Sequence, residues 1–131
     1  MMRQVLISMA LCLPAPLLAQ GMELPAYAYD AFANIGYAHT ASTECSGAKI
    51  NKRNLDKAAA SVMQQMLADG IDVNAAVQHL GTLEGMAYMQ DRESAMRARH
   101  GVAPEGIQDL CRAIAAEAKA NRELRKMVTI R

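Results

Sequence analysis

Apolar residues in this chain recur at three- and four-residue steps, and no stretch alternates with polar residues for long enough to predict a strand. The first helical stretch opens at Pro25, a residue suited to the first helical position because its missing N–H costs nothing there. Ala28, Ala31, Phe32, Ile35, Ala38 and His39 then share a face, and the run TASTECSG ends the stretch, with Gly47 as the breaker. A second stretch is capped by Asn54 and carries Leu55, Ala58, Ala59, Val62, Met63, Met66 and Leu67 to a stop at Gly70. A third begins at the cap Asp72, with Ala76, Val77, Leu80 and Leu83 on its face before Met86, Ala87, Met89 and Met96 drift round it. Gly81 and Gly85 predict a bend there, or a groove where another helix comes close. Gly101 ends that stretch, and Val102 folds back onto it. Pro104 and Glu105 open the last, whose face runs through Ile107, Leu110, Cys111, Ile114, Ala118, Asn121 and Leu124 to about Val128. The pattern predicts an all-α fold, four main amphipathic helices in a small bundle, forming one domain over residues 20–131.

Residues 1–19 read differently. Arg3 precedes an apolar run, Val5 to Leu13, and Leu17-Leu18-Ala19 sets a small residue before Gln20. That is the order of a secretory signal peptide, with cleavage between Ala19 and Gln20. The run falls short of the roughly 20 apolar residues a bilayer span requires. Cys12 follows Leu11 inside the run, so it does not read as a lipoprotein cysteine. Cleavage removes Arg3, one of 14 cationic side chains set against 13 acidic ones, which leaves a formally neutral mature chain. Such a chain has no global attraction to nucleic acid or anionic lipid. A periplasmic or secreted protein is expected, with no stable membrane insertion after cleavage.

Export changes the reading of the cysteines. Cys12 leaves with the signal peptide, and Cys45 and Cys111 remain. In an oxidising compartment they are expected to form one disulfide joining the first helix to the last. On a chain-entropy view that crosslink stabilises by roughly 4 kcal/mol. The competing reading is a reactive Cys45 with His39 as its base. Six residues set the two on different helix faces, and no C-x-x-C spacing occurs.

Seven methionines lie beyond residue 19, with M-x-x-M spacing at Met63/Met66 and Met86/Met89. Thioethers suit Cu(I), and Met86, Met89, Met96 and His100 form the candidate set. Methionine also fills irregular cores, and with no Trp and one Phe this chain needs such volume. No cofactor is expected on balance. The histidines, His39, His79 and His100, belong to no ligand pair, and Glu93 with Arg97 reads as an exposed i,i+4 contact. Glu117 and Asn121 sit one turn apart near the apolar face of the last stretch. Buried there, they need partners, and they serve either a polar helix contact or a ligand site. Cations in the terminal RELRKMVTIR suit a helix C-terminus. No nucleophile elbow, phosphate loop, dinucleotide fingerprint or calcium loop is present, so the reading leans away from an enzyme.

Three stretches carry a resemblance: IGYAHTASTEC, the helix leading into LADGID, and RARHGVAPEGIQDLCRAIAAEAKANRELRKMV. Together they resemble a family of small exported bacterial proteins catalogued as domain of unknown function 5333, over about residues 25–131. The resemblance implies an exported helical domain with paired cysteines and brings no activity. The chain departs from the family pattern at Ser46, where a Pro is expected after the cysteine. The function expected is a non-enzymatic interaction or scaffold domain with a protein partner. The alternatives are a small periplasmic chaperone, whose Met-rich surface repacks around clients, and a Met-based Cu(I)-binding protein. Glu117 as the base of a hydrolase lacks a second catalytic group.

Overall fold

The computed structural model describes residues 22–131. The expected signal peptide and its Ala19–Gln20 junction lie outside the described residues. The elements run α1 (Ala26–Glu44), β1 (Ala48–Ile50), α2 (Lys52–Ala68), α3 (Val73–Leu80), α4 (Leu83–Arg99), α5 (Ile107–Ala120), α6 (Arg122–Met127) and β2 (Val128–Ile130). The fold is all-α, as the periodicity predicts. Two of the four predicted helices are each divided in two.

The first division falls at the glycine pair. Thr82 caps α4 by accepting the Gly85 N–H at 3.1 Å, while its own hydroxyl donates to the His79 carbonyl at 2.6 Å. One threonine thus closes α3 and starts α4. A Cβ on Gly85 would lie 2.1 Å from the His79 carbonyl oxygen, so only glycine permits this approach of the two helices. The second division falls at Asn121, which adopts an extended conformation (φ −107°, ψ 103°) where the apolar spacing predicts an unbroken helix. Its Oδ1 accepts from Leu124 N at 3.2 Å and caps α6. Its amide nitrogen donates to Asn34 Oδ1 at 3.0 Å, across to α1.

The start of α2 also differs from expectation. Asn51 is the cap, and Asn54, the expected cap, supplies the N–H that Asn51 accepts at 3.0 Å. Asn54 instead donates its side-chain amide to the Lys126 carbonyl at 2.9 Å, tying α2 to the end of α6.

The small strand pair is absent from the sequence reading. β1 and β2 run antiparallel, with Lys49 opposite Thr129. Three residues per strand are too few for an alternation to register, and the partner is 80 positions away. Gly47, at φ +76°, feeds the chain into this ribbon, and a Cβ there would meet the Arg131 carbonyl oxygen at 2.9 Å.

Helix α1 is the spine. It packs against α2, α4, α5, α6 and both strands. Its buried positions include Ala28, Ala33, Ala38 and Ala41, small enough for neighbours to close in from several sides. One end contributes Ala28 and Tyr29 to a cluster with Leu24, Val62, Met66 and Ala76. The other contributes Ala38, Ala41 and Cys45 to a cluster with Met96, Ile114, Leu124 and Met127.

Cys45 and Cys111 are bonded, with their Cα atoms 5.6 Å apart. The bond runs from the C-cap of α1 to α5. Contrary to the expected first-to-last link, it stops one helix short of the final one, because Asn121 has made α6 a separate element. No helix among the described residues is long and apolar enough to cross a membrane.

Candidate functional site

Three helices contribute polar stripes that meet. Asp30, Ala33, Asn34 and Tyr37 follow the i, i+3, i+4, i+7 spacing along α1. Arg92, Ala95 and Arg99 follow i, i+3, i+7 along α4, and Glu117 with Asn121 closes the end of α5. These residues line a hollow of about 380 Å³. Ala33 and Ala95 supply its space by having almost no side chain, and the other seven lining residues are polar.

Glu117 is the most enclosed ionisable group there, at 9% exposure. One carboxylate oxygen accepts from Arg99 Nη2 at 3.0 Å, and the other lies 2.5 Å from His100 Nε2. Burial works against ionisation of this carboxyl. The bonds from His100 and Arg99 outweigh it and hold Glu117 below the usual carboxylate range. Hydrogen bonding, with the Arg99 charge behind it, therefore wins over desolvation, and the group is an anion near neutral pH. Helix ends bring the triad together: Arg99 closes α4, His100 is its C-cap, and Glu117 lies on the inner face of α5.

Arg92 is held from two sides. Its Nε donates to Asp30 Oδ1 at 3.1 Å, and its guanidinium sits 4.8 Å from the centre of the Tyr29 ring. The Tyr29 ring is itself fixed. It stacks on Tyr88 with centroids 5.0 Å apart, and its hydroxyl meets His79 Nε2 at 2.9 Å and accepts the Leu24 N–H at 3.3 Å. The apolar cluster at that end of the molecule thereby sets the position of a cation in the hollow.

Tyr37 is partly buried, and its pKa is pushed up to about 12, first by burial and then by the Glu93 charge. It is a neutral phenol at any ordinary pH, with a hydroxyl proton available to donate. Asn34 already receives a bond from Asn121 on its Oδ1, which leaves its amide nitrogen without a partner among the described residues.

The other predicted site residues are dispersed. Met96 is fully buried in the core that holds Cys45, Met89 packs against the opposite core, and Met86 is exposed. His100 is drawn to Glu117. The four candidate Cu(I) ligands are thus not gathered into one set. His39 lies on the surface. Arg97, read as exposed, is buried: it lies 3.4 Å from Glu93 and donates through Nη1 to the Ala103 and Gly106 carbonyls at 3.0 and 3.2 Å. That arginine fastens the loop before α5 to α4. Glu117 and Asn121 do meet in one site. Asp30, Asn34, Tyr37, Arg92 and Arg99 join them there, and the sequence reading did not single them out for it. Their seven-residue spacing on two helices is the available signal.

Compared with family models, with curated proteins and with solved structures, the chain matches none.

Proposed function

We propose that this chain is an exported helical domain that works by binding and performs no turnover, with the hollow between α1, α4 and α5 as its recognition site. What carries the reading is the pairing inside the hollow: Arg92 with Asp30, and Arg99 and His100 with Glu117. A general base must present a free lone pair toward substrate. Both oxygens of Glu117 are already engaged, and among the described residues no Ser, Cys or Lys lines the hollow. Fixed, internally paired charges around a small-residue floor instead suit a preorganised recognition surface.

The Cys45–Cys111 bond supports export, since such crosslinks persist in oxidising compartments. The resemblance to the family of domain of unknown function 5333 supports the same placement. The test is a thermal-shift assay with the deproteinised small-molecule fraction of an envelope extract. A rise in melting temperature that Arg99→Gln removes is the expected result. Turnover of peptide, ester or glycoside substrates that Glu117→Ala abolishes refutes the reading.

A second reading, a small chaperone, draws on the exposed Leu67, Val77, Leu83 and Met86. Failure to protect clients from heat-induced aggregation removes it.

A further inference from the structure

We infer that the hollow between α1, α4 and α5 is a site for a small zwitterion carrying a carboxylate and an ammonium group, the chemistry of a free α-amino acid. The inference rests on the binding reading above and names its ligand class.

It follows from which hydrogen-bonding groups remain once internal pairs are made. Among the described residues, Arg92 uses only Nε, Arg99 only Nη2, and Asn34 only Oδ1. That leaves both terminal nitrogens of Arg92, the remaining nitrogens of Arg99, the Asn34 amide nitrogen and the Tyr37 hydroxyl as unused donors on residues that line one hollow. The acceptor side is nearly used up. Both Glu117 oxygens are engaged, and Asp30 keeps one oxygen, at the exposed rim. A ligand that fits must be rich in acceptors at its inner end and carry a donor at its outer end. A carboxylate meets two guanidinium groups, an amide and a phenol; an ammonium group meets Asp30.

Charge favours the same class. Two arginines and two carboxylates line the hollow, so a ligand without net charge leaves that balance undisturbed. A phosphate dianion would bring twice the like charge of a carboxylate against Glu117 and carry no donor for Asp30. A neutral sugar offers about as many donors as acceptors and would leave several protein donors unpaired. The volume, about 380 Å³, lies at the small end of the roughly 300–1,000 Å³ typical of small-molecule pockets.

The test is isothermal titration calorimetry on the oxidised protein with the common α-amino acids, their N-acetyl and carboxamide derivatives, inorganic phosphate and glucose. At least one amino acid is expected to bind with Kd of about 1 mM or tighter. Losing either end group should weaken it about tenfold, the scale of one charge-assisted hydrogen bond. Tyr37→Phe and Arg99→Gln should each weaken it similarly, Tyr37→Phe without moving the melting temperature, and exposed Arg122→Gln should leave binding unchanged. If Arg99→Gln unfolds, Tyr37→Phe alone carries the comparison. Absence of amino-acid binding at millimolar concentration, or equal binding of the derivatives, overturns the inference. Phosphate or glucose binding that the same two variants weaken, with no amino acid bound, overturns the ligand class and leaves the binding reading standing. Hydrolysis of a derivative would instead overturn the binding reading itself.

Discussion

Removing the Cys45–Cys111 crosslink should cost this fold a large share of its stability. The two residues are 66 positions apart. For a loop of that length the chain-entropy relation gives about 4 kcal/mol at 25 °C, all of it from the greater freedom of the unfolded chain. Cys45 is buried and Cys111 half-buried, so replacing both by Ala also gives up sulfur packing, worth about 1 kcal/mol. Domains of this size are stable by about 5–15 kcal/mol, so the loss is about a third of the total or more. Unfolding entropy of about 2.1 cal/mol/K per residue, over roughly 110 residues, converts it to a fall in melting temperature of about 20 °C. The assay is urea unfolding of the oxidised protein, the reduced protein and the Cys45→Ala/Cys111→Ala variant, followed by circular dichroism. The uncrosslinked chains should show a lower midpoint and a steeper slope, because an open unfolded chain exposes more surface. A loss below about 1 kcal/mol with an unchanged slope would refute the entropic reasoning. Two free thiols in the native oxidised protein would refute the crosslink itself.

Two further predictions follow from close contacts elsewhere. Gly85→Ala forces a Cβ to within 2.1 Å of the His79 carbonyl oxygen, against backbone that cannot rotate away. It should destabilise by about 3 kcal/mol, read as a lower urea midpoint, and an unchanged midpoint would mean the α3–α4 turn is loose. Glu117→Gln keeps the shape of the side chain and removes its charge from Arg99 and His100. The loss should be about 2 kcal/mol near pH 7. The folded-state pKa of Glu117 lies below its ordinary 4.5, so its contribution is complete above that value and lost as pH falls through the folded value. The gap between wild type and variant should therefore close in acid, and a gap that widens there would overturn the pairing.

The boundaries of the helices were legible where a local device ends or starts them. Asp72 was recognisable as a cap, and its Oδ1 accepts from Asn74 and Ala75. The glycine pair was recognisable as a bend, and the structure resolves it into a capped break with a close approach. Asn121 was not recognised as a break. It fits the apolar spacing of the last stretch, and its reason for leaving the helix is Asn34, 87 positions earlier. No window of sequence contains both. The β1–β2 ribbon was missed for the same reason.

The hollow was half legible for a different cause. Each of its stripes, taken alone, is what a solvated helix face looks like: Asp30, Asn34 and Tyr37 on one helix, Arg92 and Arg99 on another. Only α1's setting changes their meaning. Its alanines let helices close on several sides at once, so a polar line along it need not face water. The crosslink then matters to the site as well as to stability. Cys111 lies six residues before Glu117 on α5, about 9 Å along the helix axis. Fastening that point of α5 to the end of α1 limits how far Glu117 and Asn121 can move from Asn34 and Tyr37. Reduction should therefore loosen the site before the fold is lost. Hydrogen exchange in the reduced protein should rise first in the second half of α5 and in α6. Uniform protection across α5 would separate the staple from the site.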